Sequence, residues 1–231
     1  MKPEVIPAIM PEDFDDLEEK VSRVVGLVKT VQLDIMDGKF VPERTWPYVC
    51  NRGELERIIS ETDAMPHWDN INYEVDLMVR DPEVASYNWI KAGASRIIFH
   101  IESAPNILDL IKKIKVEFGD AKISPTAPEI GVAIDNSTPL TELEKYLDDV
   151  DFVQMMGIDK IGFQGEPMSE TVIPRITEFR KKHEETIISV DGAVSGDSAK
   201  ALIDAGVNRL VSGSFIFNSL DIKEAISILK N

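Results

Sequence analysis

Three aspartates lie at the end of, or inside, apolar runs: Asp34 in VQLDIMDGKF, Asp76 in YEVDLMV and Asp191 in SVDGAVS. An unpaired carboxylate is costly in such surroundings. Taken singly, each would cap the helix that follows or accept hydrogen bonds from a turn. Converging on one point, the three must share a cation or protons. Two carboxylates on opposite faces of a substrate carbon can take a proton from one side and return it on the other. That inverts a stereocentre beside a carbonyl. The enediolate formed on the way calls for a nearby positive charge, commonly a metal ion.

Glycine supplies a second signal. Gly162 and Gly165 bracket GFQG, Gly192 and Ala193 stand in DGA, and Gly213 and Ser214 in SGS. Taken alone, each is ordinary turn chemistry. Three such loops in succession suit backbone N–H groups closing on an oxyanion, where a bulky Cβ would interfere. His100 and Glu102 end another apolar run, FHIES, where His100 would line the site. Met36, Met78, Met155 and Met156 are core filler by type, and methionine beside a site can also line it. His67 and His183 fall in polar and charged surroundings as surface residues, and Cys50 has no base beside it.

Positioning these residues requires repeated β-rich and amphipathic segments, and the chain alternates between the two to its C-terminus. Strands are predicted over 5–9, 27–36, 73–79, 96–101, 129–134, 152–155, 186–190 and 209–211. Most are continuous apolar runs, as parallel strands covered on both faces should be. Phe14, Leu17, Val21, Val24 and Val25 make one helical stripe, and Ile107, Leu110, Ile111 and Ile114 another. Ser195 reads as an N-cap, Ala199, Leu202 and Ile203 as a buried face, and Gly206 as a stop.

Eight strands and about eight helices predict an α/β fold, a (β/α)8 barrel of one domain over residues 1–231. A doubly wound open sheet has the same local pattern, but no Gly-x-Gly-x-x-Gly follows the first strand. In a barrel, polar residues at the C-terminal strand ends carry function. Residues 62–72, TDAMPHWDNIN, read as an extended loop that would reshape the mouth of the site.

The chain has 231 residues, of which 43% are hydrophobic and 29% charged, with a formal net charge of −16. Such an acidic balance repels nucleic acid and anionic membranes, and neither is expected as a partner. No run of 18 apolar residues exists to span a bilayer. Pro3, Glu4 and Pro7 stand where a signal peptide would be apolar, and a single cysteine fits a reducing, cytoplasmic setting.

Together the motifs resemble the ribulose-phosphate 3-epimerase family along nearly the whole chain. PAIMPEDF, LDIMDGKFVPE, DLMVRDPE, GVAIDNSTPL, DFVQMM, GFQGEPM and VDGAVSGDSAKALIDAGVNRLVSGSFIF carry the likeness. The resemblance implies a (β/α)8 barrel that interconverts ribulose 5-phosphate and xylulose 5-phosphate. It implies two catalytic aspartates, here Asp34 and Asp191, and site-lining methionines, here Met36 and Met78. Gly165, Gly192, Gly213 and Ser214 match the phosphate-binding segments, and the family's metal is held by two histidines and the two aspartates.

Five positions depart from the pattern. Gln32 and Asp76 replace the two metal-binding histidines, and Ala8 replaces a serine near the substrate. The loop DKIGFQGE is one residue longer and carries Gln164 where the family has glycine. Ala193 replaces the second glycine of DGG. Gln32, Asp34, Asp76 and Asp191 offer only oxygen, which favours Mg2+ or Mn2+ over Zn2+. No organic cofactor is expected. The expected partner is a small phosphorylated sugar, and the expected assembly a homo-oligomer. Two alternatives stand beside the epimerase: a non-catalytic paralogue that binds a sugar phosphate, and a phosphosugar lyase or decarboxylase. The second would use an Asp-x-Lys pair, but Met36 occupies the lysine position.

Overall fold

A computed structural model describes residues 2–163 and 165–230. Eight parallel strands close into a barrel in sequential order. They are β1 (Glu4–Ile9), β2 (Thr30–Met36), β3 (Asn72–Met78), β4 (Arg96–His100), β5 (Glu129–Ile134), β6 (Phe152–Met156), β7 (Ile187–Asp191) and β8 (Arg209–Ser212). The helices are α1 (Phe14–Val24), α2 (Glu54–Ile59), α3 (Glu83–Lys91), α4 (Ile107–Phe118), α5 (Val172–Lys182), α6 (Gly196–Ala205), α7 (Ser214–Phe217) and α8 (Ile222–Leu229). After β5 a 3-10 turn, Leu140–Leu143, stands in place of a helix.

Local chemistry sets the element ends. Asp13 caps α1, its side chain accepting from the Asp16 N–H at 2.8 Å. Ser195 and Ser198 form a reciprocal capping box at α6, and Gly206 closes that helix in the left-handed region. The second strand begins three residues later than the pattern indicates, because Gly26, at φ +78°, turns the chain before Thr30.

The strands are buried on both faces, but the faces differ in kind. Outward residues such as Val31, Leu33, Ile35, Val75, Leu77, Ile97 and Phe99 join the helices in one continuous apolar core. Full burial of each such side chain contributes roughly 1.5–3 kcal/mol. Inward residues alternate with them, as the two-residue period requires, and many are polar. At the N-terminal end Arg96 meets Glu4, Glu74 and Glu129 at 3.2, 3.3 and 3.1 Å. Arg209 meets Glu4 and Glu129 at 3.3 and 2.8 Å and stacks 4.5 Å above the Phe152 ring. Phe152 fills the barrel only because Gly131 has no side chain; a Cβ there would collide with its ring.

The 62–72 segment does not reach the mouth. It links α2 to the start of β3, and the N-termini of barrel strands lie on the opposite end from their C-termini. Met65 and Ile71 anchor it in the core, the Tyr73 hydroxyl donates to the Pro66 carbonyl, and His67 contacts Ser22 on α1 at 2.9 Å. Trp68 is exposed at its tip.

Candidate functional site

Parallel pairing of β2 and β3 places Gln32 beside Glu74, Asp34 beside Asp76, and Met36 beside Met78. Asp191, the last residue of β7, faces them across the barrel. Asp34, Asp76 and Asp191 each bring a carboxylate oxygen to within 4.8 Å of the others. The side-chain amide of Gln32 bridges two of them, its Nε2 donating to Asp34 Oδ1 and Asp191 Oδ2 at 2.8 Å each. Gln154, on β6, donates to Asp76 Oδ2 at 3.0 Å, and Ser189 donates to Gln154 Oε1 at 3.3 Å. The His100 Nε2 lies 3.1 Å from Asp76 Oδ1.

Burial and mutual repulsion set the protonation of this cluster. Burial, with Asp191 and Asp76 adding to it, holds Asp34 well above the usual carboxylate range. Burial and Asp76 push Asp191 up to about 7, against the opposing Gln32 hydrogen bond. Burial disfavours the charged form of His100, yet Asp76, Asp135 and Glu102 outweigh it and raise the ring to about 9.

A cavity of about 690 Å³ opens above the cluster, within the range of small-molecule sites. Asp34 and Asp191 reach its floor, whereas Gln32 and Asp76 are fully buried and do not line it. Gly162, Gly165, Gly192, Ala193, Gly213 and Ser214 all line it, with Ala8 and Met78. Gln164 lies outside the described residues. Met36 and His100, expected at the site wall, are fully buried and do not line it. Met36 packs on Val41 and Met78, and His100 stands behind Asp76 against the Phe40 ring. Among the described residues the lining holds no lysine or arginine, while Asp34, Glu166, Asp191 and Asp197 supply acid.

Two backbone details shape this end. Gly157 lets the β7 terminus pass: its N–H donates to the Asp191 carbonyl at 2.6 Å, and a Cβ would collide with the Gly192 oxygen. Ala193 sits at φ +55°, where an alanine is strained relative to glycine.

Asp37 takes the bland role: its carboxylate accepts N–H bonds from Lys39, Phe40 and Arg80. Cys50 is exposed and unpaired among the described residues, and His183 contacts Glu144 at 3.2 Å. Gln154 and Asp135 are part of the polar interior although their motifs give no hint of it. Only the inward phase of β6, with Phe152, Gln154 and Met156 on one face, would have marked Gln154.

The Asp34–Asp76–Asp191 cluster fits a divalent cation. Three hard carboxylate oxygens converge, and Gln32, whose Nε2 touches two of those carboxylates, has its Oε1 buried with no hydrogen-bond partner.

A closed eight-stranded barrel with an acidic floor and glycine-rich loops at its C-terminal mouth is the architecture of the (β/α)8 enzymes. The sequence profile of the Ribulose-phosphate 3 epimerase family matches residues 4–217, and the chain belongs to that family. It is an epimerase, an isomerase of carbohydrate metabolism. The ribulose-phosphate 3-epimerase of Bacillus subtilis (strain 168) is 30% identical over 233 residues, covering 98% of this chain and 97% of that protein. The chloroplastic ribulose-5-phosphate-3-epimerase of Arabidopsis thaliana is 32% identical, covering 98% of this chain and 75% of that protein. In fold the chain is similar to the crystal structure of KGPDC from Streptococcus mutans, at TM-score 0.69 and 15% identity, covering 99% and 95% of the two chains. No helix among the described residues is long and apolar enough to cross a membrane.

Proposed function

We propose that the protein interconverts ribulose 5-phosphate and xylulose 5-phosphate, or a closely related ketose phosphate pair, with Asp34 and Asp191 as the acid–base pair. One observation carries this: of the three clustered aspartates, these two reach the cavity floor, from β2 and from β7. A substrate carbon between them presents one face to each. One carboxylate, ionised, takes the proton from C3; the C–H electron pair becomes the C2–C3 double bond and the carbonyl π pair moves to its oxygen, giving an enediolate. The other, protonated, returns a proton to the opposite face, and the reverse reaction exchanges the roles. Raised proton affinities of both groups suit them to hold one proton between them near neutrality.

Asp34, Asp76 and Asp191 would hold a divalent metal of the oxygen-preferring kind, Mg2+ or Mn2+, and turning the Gln32 amide over would add its Oε1. Such an ion would supply positive charge beside the oxygen on which negative charge gathers. Gln32 keeps Asp34 and Asp191 in register by donating to both. The phosphate would rest on the loops of Gly165, Gly192, Ala193, Gly213 and Ser214, received by backbone N–H groups because no basic side chain is at hand among the described residues.

Proton NMR with D-ribulose 5-phosphate in D2O tests this, in chelator-treated protein and with Mg2+ or Mn2+ added. Deuterium is expected at C3 together with xylulose 5-phosphate. Asp34→Asn and Asp191→Asn should each lower turnover by about 10²–10⁴-fold, the usual weight of general acid–base catalysis. A folded wild-type protein that exchanges nothing under any of these conditions would remove this substrate pair.

A further inference from the structure

Behind Asp76 a second set of ligating atoms converges, and the proton transfer above uses none of them. A ring nitrogen of His100 and one carboxylate oxygen each of Glu102 and Asp135 lie within 4.8 Å of one another. His100 is fully buried, and its Nδ1 stands 4.0 Å from Asp135 Oδ1. Five atoms here are buried without any hydrogen-bond partner: both ring nitrogens of His100, Asp76 Oδ1, Glu102 Oε2 and Asp135 Oδ1. Glu102 is held in place by its other oxygen, Oε1, which accepts the Asp135 N–H at 3.0 Å. Nη2 of the nearby Arg175 donates to the carbonyls of Asp135 and Thr138, at 3.1 and 2.8 Å.

Buried carboxylate oxygens facing one another without a donor are costly, and native sites seldom leave them so. The histidine shows what would satisfy them. Its Nε2 faces Asp76 Oδ1 at 3.1 Å. A cation bound by Glu102 and Asp135 would displace the ring's second proton and free the Nδ1 lone pair, which lies on the Asp135 side of the ring. A carboxylate 3.1 Å from one ring nitrogen, with a ligand set on the side of the other, needs only a small turn of the ring to reach the arrangement in which metal-binding histidines are oriented.

We infer that His100, Glu102 and Asp135 form a divalent-cation site at the tips of β4 and β5, distinct from the Gln32–Asp34–Asp76–Asp191 set and joined to it through the His100–Asp76 contact. One imidazole nitrogen with two carboxylates suits Mn2+, Fe2+ or Zn2+ better than Mg2+. An ion there would neutralise Glu102 and Asp135 and hold the His100 ring against Asp76 as a positioning group.

The two sites differ in one measurable way, since the Gln32 set contains no imidazole. Metal-free protein loaded with Mn2+ should show imidazole ¹⁴N coupling in pulsed EPR. The coupling should vanish in the double variant Glu102→Gln, Asp135→Asn, with Mn2+ affinity at that site falling at least about 10-fold. It should persist in the double variant His67→Gln, His183→Gln, which removes the two histidines outside the cluster. Absence of coupling in the wild type overturns the inference, as does its survival in the first variant or its loss in the second.

Discussion

Asp191 carries a pH dependence that follows from its neighbours. Its folded-state value of about 7 lies above the roughly 3.9 of an aspartate in an unfolded chain. The folded state therefore binds this proton more tightly, and the stability it contributes is complete below about pH 4 and lost as pH rises through about 7. Asp191→Asn removes the titration. In metal-free protein, urea unfolding at pH 5 and pH 8 should show the variant gaining on the wild type at the higher pH. A gap that stays constant or narrows would contradict the assigned burial and repulsion. At this scale Gln32 is the informative departure from its family. An amide in place of an imidazole donates to both acid–base candidates at once, where a metal-bound ring nitrogen has no hydrogen to give.

At the scale of elements, the barrel strands tie two charged layers together. Inward residues of β1, β3, β4, β5 and β8 form the arginine–glutamate layer at the N-terminal end, and β2, β3 and β7 carry the acidic cluster nearer the mouth. Glu74 is fully buried, and burial lifts it to about 7 despite Arg96 and Arg209. Arg96→Met should destabilise the protein by about 3–5 kcal/mol, because it leaves the buried Glu74 carboxylate without its ion-pair partner. Equilibrium denaturation measures this, and adding Glu74→Gln should recover part of the loss. No recovery would mean that the arginine acts through packing alone. At a helix end, Asp13→Ala removes the α1 cap and should cost about 1 kcal/mol with the site untouched.

For the whole molecule, a net charge of −16 and a cavity lined by acids, with no bases among the described residues, oppose the approach of a doubly charged phosphate. Salt screens that repulsion, with a Debye length of about 30 Å at 0.01 M and about 8 Å at 0.15 M. The proposed epimerase should therefore gain in kcat/KM as NaCl rises from about 10 to 150 mM at constant metal, the reverse of an enzyme that steers its substrate by positive charge. Steady-state rates across that range check it, and a steep fall would point to basic groups at the site.

Much of this was open to a reader of the chain. The alternation of β-rich and amphipathic segments led to the closed barrel. The strand-end position of Asp34, Asp76 and Asp191 led to their meeting, because both follow from local periodicity and from where strands of this fold end. Tertiary structure alone decided the rest. Whether an inward residue meets the cavity depends on what covers it: Asp34 and Asp191 lie open at the floor, while Met36, nearer the mouth on the same strand as Asp34, is shut off by Val41 and Met78, and His100 by Phe40. The 62–72 loop went to the far end because its end of the barrel is set by whether it precedes or follows a strand, not by its composition. Gln154, Glu102 and Asp135 entered the polar interior from β6, β4 and the β5 tip, elements far apart in sequence. Only closure of the sheet brings β2 and β7 face to face and sets one amide between their two aspartates.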